Sequence, residues 1–200
     1  MVDDAIGAVL DALQSSGRAD DTVIIFNSDH GDYLGDFNLL LKGGLMLPSI
    51  NNVSLIWSDP EDRSGRVSHA LSSTVDLAPT IIERAGLKPY FGIQGKSLLS
   101  NLDGSSALRD ELLIEHQDNV ARMGFSEPCT VRTLVAPAYR MTVYKGESWG
   151  EFYDLEADPD ETLNLWDDHA HAGRRSTLLE RMVQTMIGAV DQSPRARRRA

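Results

Sequence analysis

Two kinds of hydrophobic spacing alternate along the chain. Val2, Ile6, Val9, Leu10 and Leu13 recur at helical intervals and Gly17 supplies a stop, which predicts an amphipathic helix over residues 2–16. Asp20-Asp21 make a turn, and residues 22–27 are then an almost unbroken β-branched and aromatic run. Such a run reads as a buried strand of a parallel sheet. Residues 30–52 are rich in Gly and Leu with little period and predict a structured loop over the sheet edge. Val53 to Trp57 predicts a second buried strand, closed by Asp59-Pro60. A helix is expected from Asp76, whose carboxylate can cap free amides, with Pro79 tolerable in the first turn. Leu77, Ile81, Ile82 and Ala85 give its inner face and Gly86 ends it.

From about residue 108 the pattern changes. Leu112–Glu115, Cys129–Leu134, Tyr139–Tyr144 and Glu151–Leu155 read as short strands separated by turns. A last helix is predicted over 177–190, with Thr177 and Glu180 as a capping box and Leu178, Leu179, Met182, Val183, Met186, Ile187 and Val190 as its apolar face. The fold class is therefore α/β, with an appended small antiparallel sheet covered by one helix. The expected division is an α/β core piece at 1–107, an α+β subdomain at 108–192 and a disordered basic tail at 193–200.

Composition narrows the partners. A net charge of −11 argues against nucleic acid, and the basic run Arg195 to Arg199 reads as a solvated tail. No apolar run approaches the roughly 20 residues of a membrane span. Val2-Asp3-Asp4 is acidic where a secretory signal would be basic, and the compartment stays open between cytoplasm and periplasm. The single cysteine, Cys129, excludes an internal disulfide.

The candidate chemistry sits where the first strand ends, at Asp29-His30-Gly31-Asp32, with Lys42 a short loop later. An Asp and a His side by side at a sheet edge can both reach one cation. A Lys nearby can meet an anion bound to that cation. The combination points to metal-assisted chemistry on an anionic ester.

The same residues, read with their neighbours, resemble the sulfatases of the alkaline phosphatase superfamily. The stretches are Asp20–Phe26, Ser28–Asp36 and Leu39–Gly43, then Ser72–Thr80, Gln94–Leu99 and Phe152–Leu165. The resemblance implies that Asp29 and His30 are metal ligands and that Lys42 contacts the substrate anion and the nucleophile. It implies one divalent cation, Ca²⁺ first, with Mn²⁺ or Mg²⁺ as alternatives. It also implies a formylglycine nucleophile carried on an N-terminal half, in a Cys-x-Pro-x-Arg type motif. No such motif occurs here, and Cys129 is followed by Thr130-Val131-Arg132. The chain is expected to be a truncated or half-site portion, inactive alone, that self-associates or meets a partner supplying the other half. The implied activity is hydrolysis of a sulfate ester of a small molecule or sugar, with phosphonate or phosphate ester hydrolysis as the alternative.

The sequence also departs from the family. Phe37 stands where a histidine is common, and Met46 where a histidine often follows the lysine; neither can donate a proton. These departures support a competing reading, a catalytically dead sulfatase-fold module for binding or oligomerisation. His69 is expected at a strand edge, His116 at a strand end, and His169 and His171 in a solvated linker. Trp57, Trp149 and Trp166 are expected as core or interface anchors.

Overall fold

The first helical pattern folds as its spacing predicts: α1 spans Val2–Ser15, with Asp3 and Asp4 in its first turn complementing the helix dipole. None of its residues is buried, so its apolar stripe is only partly covered. Two short strands follow, β1 (Ile24–Asn27) and β2 (Leu55–Ser58), with a one-turn helix α2 (Pro48–Asn51) between them. The expected buried parallel strand is not what forms. β1 and β2 pair antiparallel in a two-stranded sheet, Ile24 opposite Ser58 and Asn27 opposite Leu55. Leu55 and Trp57 are half-buried while Ile56 between them is exposed, the alternation of a strand covered on one face. A β-branched run signals strand, but it does not report how many faces are covered.

The computed structural model describes residues 1–102 and 108–191; the basic tail at 193–200 lies outside the described residues. The chain gathers into two compact units. Met1–Lys42 with Leu47–Gly65 forms the first, and Gly43–Met46 with the described residues from Arg66 onward forms the second.

In the second unit a 3₁₀ turn at Thr74–Asp76 leads into α3 (Leu77–Arg84). The cap lies one turn earlier than expected. Ser73 accepts from the Asp76 backbone, and the Asp76 carboxylate accepts from Ser73, a reciprocal capping box. The strand run forms an antiparallel meander in the order β3 (Leu112–Gln117), β4 (Thr130–Ala136), β5 (Tyr139–Tyr144) and β6 (Gly150–Asp154). The last helix, α4, spans Ala172–Gly188 and begins five residues before the expected start. Thr177 is no cap; its hydroxyl donates to the Gly173 carbonyl inside the helix. The chain enters α4 through a 3₁₀ turn at His169–His171, capped by Asp168, so these histidines are not in a linker.

Both faces of the meander are covered. Leu134, Ala136, Tyr139, Met141 and Phe152 pack with Leu165 and with Leu178 and Met182 of α4. Val131 and Tyr144, of opposite parity along their strands, pack with Met46 and Cys129. Arg140 lies on that second side, its guanidinium donating to Glu151 at 2.7 Å, to Thr142 at 2.9 Å and to Glu161. Thr142 in turn meets Thr133 on β4 at 2.9 Å. Burying three charges is tolerable here because the guanidinium donors have carboxylate or hydroxyl acceptors.

Candidate active site

The site grows out of the end of β1, within the first unit. Ser28 donates its backbone N–H to Ser54 and its hydroxyl to the carbonyl of His30, turning the chain sharply after the strand. Gly31 then donates to the carbonyl of Ile50 at 2.9 Å. A Cβ at Gly31 would lie 1.8 Å from the Ser49 carbonyl oxygen, so only glycine allows this close approach. The turn leaves Asp29 in solvent and His30 partly sheltered, with side chains 85% and 35% exposed.

The loop from 33 to 41 presents the lysine. Its base is a pair of backbone bonds, Tyr33 to Leu41 and Gly35 to Leu39, both 2.8 Å. Tyr33 is fully buried and anchors it. Leu34, Phe37, Asn38 and Leu41 all adopt positive φ between 50° and 64°. Left-handed backbone at four non-glycine positions in eight residues is costly, and such strain concentrates where a side chain must be aimed. It aims Lys42.

Lys42 Nζ lies 2.6 Å from His30 Nε2. An ammonium can only donate, so Nε2 accepts, and the ring proton sits on Nδ1, which donates to the Gly31 carbonyl at 2.7 Å. His30 is thus held in one tautomer with its Nε2 lone pair turned to a cation. Asp29 Oδ2 lies 3.5 Å from the same nitrogen. The His30 backbone N–H donates to Asp29 Oδ1 at 3.0 Å. That N–H first, with the Lys42 ammonium adding to it, holds the Asp29 carboxyl below the usual carboxylate range.

The structure therefore brings the three sequence candidates together: the Lys42 ammonium and the Asp29 carboxylate both lie within 3.5 Å of His30 Nε2. A carboxylate and an imidazole lone pair side by side suit a divalent cation and supply two donors. Among the described residues there is no group of three or more His, Cys, Asp or Glu able to complete a metal sphere. Residues that sequence reasoning passed over are Ser28 and Gly31, which shape the turn; the glycine directly after the Asp-His pair was the available signal.

The remaining candidates fall elsewhere. Phe37 is 57% exposed on the loop, whereas Met46 is a core residue against Cys129, Val131 and Tyr144. His69 lies in an exposed irregular segment rather than at a strand edge. His116 is on β3 with Nε2 3.3 Å from Asp118, and His171 Nδ1 meets Asp168 at 2.9 Å. Trp57 and Trp166 are half-buried, while Trp149 is exposed.

The family model described as Sulfatase matches residues 1–87. The chain is similar to proteins of the sulfatase family over their C-terminal portion. It is 30% identical over 202 residues to the multifunctional alkaline phosphatase superfamily protein PehA of Trinickia caryophylli, covering 96% of this chain and 39% of that protein. The phosphonate monoester hydrolase of Agrobacterium radiobacter superposes with a TM-score of 0.82 at 27% identity, over 96% of this chain and 40% of its own. A protein solved with its substrate D-glucosamine-2-N,6-O-disulfate superposes with a TM-score of 0.84 at 26% identity, with coverage of 96% and 40%. The chain thus spans about two fifths of the length of the relatives it matches.

Proposed function

We propose that this chain is the cation- and anion-binding portion of a metal-dependent hydrolase of tetrahedral anionic esters. A sulfate ester is the first substrate class, and a phosphonate or phosphate ester the second. The observation that carries the reading is the convergence of the Lys42 ammonium and the Asp29 carboxylate on His30 Nε2.

Asp29 and His30 are the ligands, with Ca²⁺, Mn²⁺ or Mg²⁺ as the candidate ion. A divalent cation bound there would supply Lewis-acid stabilisation of negative charge on the ester. His30 is pre-set for ligation because its Nδ1 proton is already committed to Gly31. Nε2 has one lone pair, so when His30 acts as a ligand the Lys42 ammonium turns its donors to the oxygens of the substrate anion. A cation aimed at developing charge lowers the barrier without moving a proton. The resemblance assigns the nucleophile to a formylglycine outside these 200 residues. Cys129 does not replace it: the thiol is buried against Met46, Val131 and Tyr144. A relative's disulfated glucosamine substrate supports a sulfated sugar as the ligand class.

Calorimetric titration of the chain with Ca²⁺, Mg²⁺ and Mn²⁺ tests the ligand assignment. Binding should vanish in Asp29→Ala and persist in Lys42→Ala; binding that survives Asp29→Ala overturns the assignment. Joined to the part of the phosphonate monoester hydrolase that it does not match, the chain should turn over 4-nitrophenyl sulfate or a phenylphosphonate monoester. Lys42→Ala should lower kcat/KM by about 10²–10³. No turnover with any of the three cations would leave the non-catalytic module as the better reading.

A further inference from the structure

Three aromatic rings in the second unit form a cluster that neither the ester site nor the main core uses. Phe125, Tyr144 and Trp149 have centroids 4.4 Å (Tyr144–Trp149), 5.6 Å (Phe125–Tyr144) and 5.9 Å (Phe125–Trp149) apart, with planes tilted by only 25–35°. Tyr144 is buried at the end of β5 against Met46, Cys129 and Val131, which gives the cluster a rigid base. A turn through Met123 and Gly124, both at positive φ, brings Phe125 to it. The β5–β6 turn, with Gly146 at φ 83°, brings Trp149.

The distances show which face of Trp149 the cluster covers. A tryptophan sandwiched between the other two rings would hold them about 10 Å apart. They are 5.6 Å apart, so Phe125 and Tyr144 lie on the same side of Trp149. Trp149 is 39% exposed, and its indole N–H is already given to Glu147 Oε2 at 3.1 Å. The indole is thus partly exposed, with one face turned to the cluster and a carboxylate at its rim.

We propose that Trp149 marks a saccharide-binding site within the second unit, on which one hexopyranose ring stacks its C–H face while Glu147 accepts from a ring hydroxyl. The ring quadrupole is negative over the face and attracts the weakly positive C–H hydrogens of a pyranose. A carboxylate rim accepts hydroxyl donors and repels a sulfate, so the subsite takes the uncharged part of a sugar chain and not its ester group. An aryl ligand would leave the carboxylate unused. The proposal rests on the sugar-ester reading of the substrate class.

The test follows the three indole N–H signals of the chain by NMR while neutral N-acetylglucosamine trisaccharide is added, with Trp149→Phe assigning its signal. Trp149 should shift, and Trp57 and Trp166 should not. Trp149→Ala should weaken binding at least ten-fold, with the other two indoles at native positions reporting an intact fold. Trp149→Tyr should restore part of it, and Glu147→Ala, at an exposed position, should weaken it independently. Lys42→Ala and Asp29→Ala should leave it unchanged, so a failed ester site and a failed sugar subsite give different results. No Trp149 shift at about 10 mM sugar overturns the proposal. So does equal binding by Trp149→Ala, or a response to tetramethylammonium in place of sugar.

Discussion

Replacing Asp76 by Asn keeps the side-chain shape and removes the charge. Asp76 is fully buried and takes four donors on two oxygens: Oδ2 accepts from Ser73 N at 2.8 Å and from Arg109 Nη1, and Oδ1 from Lys96 N at 2.8 Å and Arg109 Nη2 at 2.7 Å. An amide has one acceptor oxygen. Whichever way Asn turns, its NH₂ faces one backbone N–H and one guanidinium N–H. Removing one partner of a buried pair costs about 3–5 kcal/mol, a range that includes the stranded donors. We expect Asp76→Asn to cost about 4 kcal/mol. The assay is urea unfolding followed by tryptophan fluorescence in a Trp57→Phe background, which leaves Trp149 and Trp166 of the second unit as reporters. With a slope of about 2 kcal/mol/M the midpoint should fall by about 2 M. Arg109→Met should cost less, because Asp76 keeps two backbone N–H donors. The double variant should cost at least 1 kcal/mol less than the sum of the singles, as expected for groups in contact. Burial raises the Asp76 pKa, but Arg109 and the Lys96 and Ser73 amides outweigh it and hold the carboxyl below its usual range. A depressed folded pKa gives stability that is fully present above the unfolded value of about 3.9 and is lost as pH falls through the folded value. Asp76→Asn should therefore flatten part of the acid limb below about pH 4. A cost under about 1 kcal/mol, or strictly additive singles, would refute the reasoning.

Three further outcomes follow from the same kind of accounting. Gly31→Ala places a Cβ 1.8 Å from the Ser49 carbonyl oxygen, which must break the Gly31–Ile50 bond and swing His30; cation binding measured by calorimetry should fall at least ten-fold while α4 stays folded by circular dichroism. Arg140→Met leaves Glu151 and Glu161 buried without their cation and should cost about 3–5 kcal/mol in urea unfolding, partly recovered by adding Glu161→Gln. Burial, then the charges of Asp118 and Glu147, push the Cys129 thiol up to about 11; its alkylation by iodoacetamide at pH 8.5 should be about 100-fold slower than that of a free thiol and recover in urea.

How much of this was legible in the sequence depends on what each residue reports. Helical spacing placed α1 within a residue, and the turn-separated strand runs gave the meander and its covering helix. Asp29, His30 and Lys42 were singled out through the resemblance of the stretches around them; an Asp-His pair after a strand reads, taken alone, as a local turn. The pairing of β1 with β2 was not: residues 22–27 carry no signal that distinguishes a parallel neighbour from an antiparallel one. The start of α4 was missed because the Asp168 cap lies beyond the apolar stripe, while Thr177 satisfied the capping pattern without being a cap. The close approach at Gly31 and the strained φ values of 34–41 depend on contacts remote in sequence and could not be read from spacing.

The stretches that resemble sulfatases do different physical jobs. Those from 20 to 43 build the site. Ser72–Thr80 and Gln94–Leu99 lock onto each other: Asp76 accepts from Lys96 N, Thr80 Oγ1 accepts from Leu98 N at 2.9 Å, and a Cβ at Gly95 would lie 2.0 Å from the Val75 carbonyl oxygen. In Phe152–Leu165, Asn164 accepts from Phe152 N and Trp166 N and donates to Gly150, which fastens the segment after β6 back onto that strand. Similarity in these later stretches therefore reports the scaffold, and only the first group reports chemistry. The departures divide in the same way. Met46 is buried in a hydrophobic cluster, where a histidine would leave a polar nitrogen to be satisfied, so that change belongs to packing. Phe37 is exposed on the loop that presents Lys42, and its ring cannot give a proton to a leaving oxygen. An ester whose leaving oxygen needs little protonation, as in an aryl ester, loses least by that exchange. On the proposed reading the change at 37 bears on the leaving group, while Asp29 and His30 keep the proposed cation ligands and Lys42 the proposed contact with the anion.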